Sequence, residues 1–190
     1  PVVDDVNVFN MPFVFRNSKH MEKVIDGEIG DELLAKISAN DKTGLIALCW
    51  MNAGSRNVYN NKRPIRTMAD LKGLKVRMMG NPLFVDTMNA LGGNGVALGF
   101  DQVFSSMQTG VVDGNENTPS NVYTQKMHEV QKHATISNHG YIGYAVIVNK
   151  KFWDGLPADV RTQLDKAMAE ATEFANNISQ TENDDALAAM

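Results

Sequence analysis

The stretch TMADLKGLKVRMMGNPLFVDTMNALGG, residues 67 to 93, contains the unit that decides the fold class. Its apolar run LKVRMM (74–79) predicts a strand, which the turn residues Gly80-Asn81-Pro82 end. The residues that follow predict a helix that closes at Gly92-Gly93. A strand that leads directly into a helix is the repeating unit of α/β folds.

The same alternation continues on both sides of this stretch. Strands are expected within 6–15, at 44–51, 95–100, 111–112 and 140–149, and helices at 101–110, 121–134 and from Pro157 onward. Residues 18–40 are expected to be helical in two pieces, with Ser18 as the N-cap of the first. Residues 52–65, NAGSRNVYNNKRPI, are rich in Asn and Gly and are predicted as a loop. We therefore expect an α/β protein with a substantially parallel sheet and a ligand site at the carboxyl ends of its strands.

Composition narrows the classes of function. The 190 residues are 43% hydrophobic, which is enough to bury a core in one large or two small domains. The net charge of −4 argues against a surface for nucleic acid or anionic membranes, and no apolar run approaches the roughly 20 residues of a membrane helix. The single cysteine excludes a disulfide framework within the chain. Because the sequence starts at Pro1 and stops at Met190 inside a helical pattern, we expect a piece of a longer protein whose export signal is not included.

Arg77 is the first candidate for ligand binding. It lies near the end of the strand predicted at 74–79, where a guanidinium can grip a carboxylate through two parallel hydrogen bonds. The alternative is a surface arginine paired with an acid of the chain itself.

A polar cluster after the short strand at 111–112 is the second candidate. Asp113-Gly114 predicts a turn, which Asn115, Glu116 and Asn117 follow. Ser120 or Asn121 can cap the next helix without any ligand, but capping leaves the other three polar residues unexplained.

The remaining candidates have simpler alternatives. Arg56, in the predicted loop, can be a solvated charge, and Phe100 can be a hydrophobic staple at a helix start or the apolar wall of a site. The four histidines show no metal-ligand spacing, and His139, just before a predicted strand, is interpreted as structural. Phosphate-binding loops and a nucleophile elbow are also missing from the sequence, and no pair of residues fits a general acid and base.

Three segments closely resemble the substrate-binding proteins of TRAP transporters, of the dicarboxylate-binding DctP type. They are MADLKGLKVRMMGNP (68–82), GFDQVFSSMQTGVVDGNENTPSNVYTQKMHEVQKH (99–133) and GYAVIVNKKFWDGLPADVRTQLDKAM (143–168). The string VVDGNENTPSN is the most specific of these, and the resemblance covers nearly the whole chain.

This resemblance implies two interleaved α/β lobes of the periplasmic-binding-protein type, joined by crossing strands and a long hinge-spanning helix. Residues 1–53 would form part of lobe I, 54–142 lobe II, 143–182 the return to lobe I with the long helix, and 183–190 the start of the return to lobe II. The upstream part of lobe I would lie outside this chain.

By resemblance, the ligand would be held by residues that match family motifs. Arg77 would clamp a carboxylate and Asn117 would orient it, with further contacts from Arg56, Phe100 and Asn81. RMMGNP departs from the usual family run in a way that leaves the clamp intact but alters the expected pocket wall. GGNGVALGF lacks the usual proline, so the bent segment that leads to Phe100 in the family is not expected here.

The implied function is capture of a small organic acid, a C4-dicarboxylate such as succinate, fumarate or malate, and its delivery to TRAP membrane permease subunits. The implied protein is periplasmic, monomeric and without membrane insertion or nucleic-acid binding, and it needs no catalytic residue because no bond is made or broken. No metal site or cofactor is expected from the sequence, but a role of a metal in ligand binding stays open. A sensory binding protein that signals to a receptor is the alternative, and an α/β enzyme is disfavoured because the sequence lacks a catalytic set.

Overall fold

The computed structural model describes residues 3–190, whose strands form a five-stranded mixed sheet in the order β3-β2-β4-β1-β5. The strands are β1 (Leu45–Asn60), β2 (Lys75–Met78), β3 (Asn94–Ala97), β4 (Gly114–Asn117) and β5 (His133–Asn149). Strand β2 is parallel to β3 and β4, whereas β1 is antiparallel to β4 and β5. The α/β class is therefore confirmed, but the expected parallel character holds for only one side of the sheet.

Helices flank this sheet. They are α1 (Ser18–Ile25), α2 (Glu28–Ala39), α3 (Pro82–Ala90), α4 (Val103–Gln108), α5 (Pro119–Thr124), α6 (Lys150–Asp154) and α7 (Ala158–Ala189), with 3-10 turns at Asp4–Asn10, Met68–Leu71, Phe100–Gln102 and Met127–Val130. No helix within residues 3–190 is both long and apolar enough to span a membrane. The long helix that Pro157 was expected to open is confirmed as α7. Pro1 and Val2, the first residues of the predicted lobe I segment, lie outside the description, and the lobe boundaries stay a prediction.

Strand β1 corrects the largest error of the sequence-based prediction. Residues 52–60 were expected to be a loop, yet they continue the strand to Asn60. Polar residues are stable there because the segment 57–60 pairs with β4 on one side and with β5 on the other. Gly54 lies at one of the register shifts between β1 and β5. Its φ of 107° is a backbone conformation that a residue with a side chain rarely adopts.

The polar cluster is likewise a strand rather than a turn. Strand β4 contains Asn115, Glu116 and Asn117, all of them buried between β1 and β2, and the strand expected at 111–112 does not form. Pairing on both sides satisfies the strand's backbone, which compensates for the low strand propensity of these residues.

Three smaller boundaries also differ from the expectation. Residues 6–15 were predicted to begin as a strand, but Asp4–Asn10 is a 3-10 helix. The helix expected over 121–134 ends at Thr124, and Lys126 adopts a left-handed conformation with φ 55° before the next turn. Helix α1 is capped by Asn17, whose side chain accepts from His20 N, and not by Ser18.

Apolar side chains pack on both faces of the sheet. One cluster joins β2 to helix α3 through Leu74, Val76, Met78, Phe84 and Met88. The second, around Tyr59, contains Val103, Met107, Val112, Val122 and Met127, and a third packs Met21, Ile25, Leu33 and Ile37 against Trp50. Since successive side chains of a strand point to opposite faces, Val76 and Met78 turn Arg77 away from α3.

Two asparagines of α7 fasten this helix to the sheet. Asn176 Oδ1 accepts from Asn52 N at 2.8 Å, and Asn183 Nδ2 donates to Ala53 O at 2.9 Å. Asn183 Oδ1 also accepts from Ser120 N at 3.1 Å. The long helix is thus joined both to β1 and to the start of α5, which directly follows Asn117.

Candidate ligand-binding site

Arg77 is a buried cation whose hydrogen-bonding capacity is only partly used. Its side chain is 3% exposed, and its Nε and Nη2 donate to the carbonyl oxygen of Leu98 at 3.0 and 2.8 Å. This carbonyl occupies the edge formed by Nε and Nη2, whereas the edge formed by Nη1 and Nη2 meets no acceptor within residues 3–190.

The charge of Arg77 also lacks a carboxylate in contact with it. Among residues 3–190, no Asp or Glu oxygen lies within 4.0 Å of its guanidinium. Burial lowers the pKa of Arg77 by desolvation; the charge of Glu116 raises it, and the charge of Arg56 lowers it further. Because arginine stays protonated in proteins, this site holds a desolvated positive charge that an anion would complement.

Phe100 borders the same guanidinium. The ring centroid lies 5.9 Å from Arg77 Cζ, at the outer limit of a cation–π contact, and the side chain is 46% exposed. An exposed aromatic ring beside a buried charge fits the wall of a site better than a staple, which would be covered.

Asn117 lies on the strand next to Arg77. In the parallel pairing of β2 with β4, Arg77 is level with Asn115, so Asn117 is on the same face two residues further on. That distance corresponds to about 7 Å along the strand. Asn117 is 4% exposed, and its Oδ1 accepts from Thr118 N and from Asn121 Nδ2, both at 2.9 Å. Its Nδ2 group meets no acceptor within the described part of the chain.

Arg56 differs from Arg77 because its charge is already paired. It lies in strand β1 and not in the predicted loop, and its side chain forms a two-pronged ion pair with Glu116, with Nε 2.6 Å from Oε2 and Nη2 in contact with Oε1. Its Cζ lies 4.3 Å from the centroid of the Phe84 ring. Whether Arg56 also contacts a ligand stays a prediction.

Glu116 is the centre of this buried ionic cluster. His139 Nε2 lies 3.4 Å from Glu116 Oε2. Burial raises the pKa of Glu116, but the charge of Arg56 and the hydrogen bonds from His139 and Arg56 outweigh it, and the net pKa is lowered. The carboxylate therefore stays ionised and fixes Arg56.

This ionic cluster borders a cavity on the α3 side of the sheet. The cavity has a volume of about 360 Å³ and is mainly apolar, with Val58, Met78 and Phe84 in its wall beside Arg56 and His139. Arg77 and Asn117 are not part of its lining. The structure thus places Phe100 beside Arg77 and Asn117 on the neighbouring strand, and it assigns Arg56 to a separate ionic cluster.

Asn81, the fifth predicted residue, is occupied by structural contacts. Its Oδ1 caps α3 by accepting from Leu83 N at 3.1 Å, and its Nδ2 donates to Asn7 Oδ1 at 2.8 Å. A ligand contact from Asn81 stays a prediction.

Sequence reasoning missed the residues that orient the site. Glu116 was grouped with the polar cluster and His139 was taken as structural, because the partner of Glu116 lies 60 residues upstream. Leu98 orients Arg77 through its backbone carbonyl, and a backbone contact of this kind leaves no signature in the amino-acid sequence. Asn121 was considered only as a possible helix cap, and Tyr144, which accepts a hydrogen bond from it, was not considered.

Together, the fold and the site define an α/β protein with a buried cation, Arg77, and an unused amide donor, Asn117 Nδ2, on neighbouring strands. The chain belongs to the bacterial extracellular solute-binding protein family 7, the DctP family, whose model matches residues 1–190. This confirms the resemblance seen in the sequence.

Similar proteins agree with this assignment. The chain is 51% identical over 188 residues to the C4-dicarboxylate-binding periplasmic protein DctP of Rhodobacter capsulatus, and it covers 55% of that protein. A TRAP periplasmic solute-binding protein from Pseudomonas putida F1 with bound D-glucuronate has a TM-score of 0.93 and 44% identity, with 99% of this chain and 61% of that one covered. One from Sulfurospirillum deleyianum with bound succinate has a TM-score of 0.93 and 41% identity, with 98% and 59% covered. The chain therefore spans a little more than half the length of these relatives.

Proposed function

We propose that the protein captures a small organic acid, a C4-dicarboxylate such as succinate, fumarate or malate, and delivers it to TRAP permease subunits from the periplasm. The observation that carries the proposal is Arg77, a buried cation with one edge free and no carboxylate of residues 3–190 in contact with it. A ligand carboxylate would supply the missing charge through two parallel hydrogen bonds.

Asn117 supports the same ligand chemistry. The free groups of the two residues, the outer edge of Arg77 and Nδ2 of Asn117, are all donors. A site that offers only donors favours an acceptor-only group, and an ionised carboxylate is such a group. Phe100 would cover the carbon skeleton beside it.

The relatives support an organic acid as the ligand, but the acids that they bind differ in size. A succinate-bound relative and a relative with D-glucuronate share this fold at TM-scores of 0.93. Both ligands carry a carboxylate, which is the feature that Arg77 and Asn117 would recognise. Ligand capture breaks no bond, so the proposed mechanism is closure of the two lobes around the acid, which removes it from water, with no catalytic step.

The proposal is tested by calorimetric titration of the full-length protein that contains these residues. Succinate, fumarate, malate and D-glucuronate would each be titrated, with the uncharged diamide succinamide as the control. We expect at least one of the three C4-dicarboxylates to bind and succinamide to give no measurable heat, because it carries no charge for Arg77. Binding of D-glucuronate alone would keep an organic acid as the ligand but contradict the C4 class. Binding of the diamide with the affinity of the acid, or no binding by any acid, would contradict the proposal.

Asn117→Ala is expected to weaken acid binding by about 1–3 kcal/mol, the cost of losing a buried polar partner. This corresponds to roughly 5- to 150-fold in Kd. Thermal unfolding of the ligand-free variant checks that the fold is kept. An unchanged Kd would reduce Asn117 to a structural residue of β4.

A further inference from the structure

Asn117 can bind an anion only if its amide nitrogen, and not its oxygen, faces the ligand, and the contacts around it fix that choice. Thr118 N lies 2.9 Å from the amide atom of Asn117 that it contacts. A backbone N–H can only donate, so this atom must be the oxygen, Oδ1. The nitrogen of Asn117 is therefore the outward end.

A second contact at the same oxygen also fixes the amide orientation of Asn121. Its amide lies 2.9 Å from Asn117 Oδ1, and since Oδ1 can only accept, the contacting atom of Asn121 must be its nitrogen. The second proton of the same nitrogen points to Tyr144 Oη at 3.2 Å. The hydroxyl of Tyr144 thus accepts from Asn121, so Asn121 Nδ2 donates to both neighbours while Asn117 Oδ1 accepts from two donors.

We propose that Asn121, supported by Tyr144, is the positioning residue that fixes the amide of Asn117 with Nδ2 facing the ligand carboxylate. The inference rests on the proposed function. Without Asn121, only Thr118 N holds the oxygen, and the amide of Asn117 gains freedom to turn. An amide that turns presents an oxygen to the anion for part of the time, which weakens binding by repulsion and by lost order.

The location of the two residues suits this role. Asn121 lies in α5, four residues after Asn117, whereas Tyr144 lies on β5, which pairs with β1 on the far side from β4. The row of hydrogen bonds therefore ties the residue on β4 to the edge strand of the sheet. Tyr144 is 49% exposed although it is aromatic, so burial does not account for its position.

The test is a double-mutant cycle on the full-length protein, with succinate as the probe, or D-glucuronate if succinate is not bound. We expect Asn121→Ala to raise the Kd about tenfold, the effect of one weakened polar contact, and Tyr144→Phe to raise it less. In the Asn117→Ala background, Asn121→Ala should have almost no further effect, because it acts through Asn117. A merely structural role would instead give additive losses.

Asn89→Ala is the matched control. It also removes an asparagine side chain from a short helix, together with one hydrogen bond, from Gly95 N at 2.9 Å, outside the site. Similar thermal stability of the two variants with a raised Kd only in Asn121→Ala supports the proposal. An equal Kd in both variants, or additive losses in the cycle, overturns it.

Side-chain amide NMR of the ligand-free protein separates this inference from the proposed function. We expect slow solvent exchange for the Nδ2 protons of Asn121 and fast exchange for those of Asn117. If no acid binds but this pattern is seen, the proposed function fails and the orientation stands. The reverse pattern, with the Asn117 protons protected, overturns the inference whatever the ligand.

Discussion

Arg77→Ala is expected to lower the affinity for the acid by two to three orders of magnitude. In the complex, the carboxylate would be buried against the guanidinium, and removal of one partner from a buried ion pair costs about 3–5 kcal/mol. At 1.4 kcal/mol per factor of ten, this is roughly 100- to 1000-fold or more in Kd. Arg77→Lys is expected to bind the acid poorly as well. The planar guanidinium can bind Leu98 O with one edge and a carboxylate with the other, and the compact ammonium of lysine cannot do both.

Unlike the affinity for the acid, the stability of the ligand-free protein should not fall when Arg77 is replaced. Arg77 has no carboxylate partner within residues 3–190, so the Leu98 carbonyl and the more distant charge of Glu116 offset the cost of its burial only in part. We therefore expect the free energy of unfolding of ligand-free Arg77→Met to equal or exceed that of the parent. This combination of lost affinity with kept stability distinguishes a ligand clamp from a structural arginine.

Arg63→Ala is the control for charge and for backbone contacts. Arg63 also donates to backbone carbonyls, those of Asp70 and Lys72, but it lies on the exposed surface. Calorimetry should give a parental Kd for this variant. A Kd of Arg77→Ala within about threefold of the parent, or about 0.7 kcal/mol, would remove Arg77 from the site.

The sequence was sufficient to locate Arg77 because the signal is local. The apolar residues around it predict strand β2, and the turn 80–82 marks the carboxyl end of that strand. Position at that end of a strand is what points the side chain toward the ligand region in an α/β sheet. This local signal places Arg77 in the strand, whereas its role as a carboxylate clamp comes from the family resemblance and stays a prediction.

The same local reasoning failed for Arg56 because its surroundings are made by distant segments. Asn and Gly residues favour loops when they stand alone, but strand β1 is stabilised by pairing with β4 and β5, which follow more than 50 residues later. The ion pair to Glu116 depends on the antiparallel pairing that sets Val58 level with Glu116. Neither the pairing nor the resulting neutralisation of Arg56 can be inferred from residue spacing.

Glu116→Gln is expected to destabilise the protein by about 3–5 kcal/mol, because it leaves the buried cation of Arg56 without a counter-charge. Asp154→Asn is the matched control, since it breaks an ion pair to Lys150 of 2.9 Å whose two side chains are about half exposed. Such surface pairs contribute between about 0 and 1 kcal/mol. Denaturant unfolding of both variants measures the difference.

The pH dependence of the parent should carry the signature of the same carboxylate. The pKa of Glu116 is lowered in the folded protein, so its ionised form stabilises the fold above the pKa of about 4.3 of an unfolded glutamate. This stabilisation is lost as the pH falls from there through the lowered pKa of the folded state. Glu116→Gln should be less stable than the parent at neutral pH, and the difference should shrink in that acidic range.

A double variant tests why Glu116→Gln lowers stability. Either the ion pair itself stabilises the fold, or the single variant is unstable because it leaves the buried charge of Arg56 unpaired. Arg56→Met with Glu116→Leu replaces both charges by apolar groups beside Phe84 and the apolar cavity wall. Replacement of a whole buried pair by apolar residues is often neutral for stability, so we expect the double variant to regain most of the loss seen in Glu116→Gln. If it remains as unstable as the single variant, the cluster of Arg56, Glu116 and His139 holds the sheet by its specific geometry, and the charge-pairing explanation is wrong.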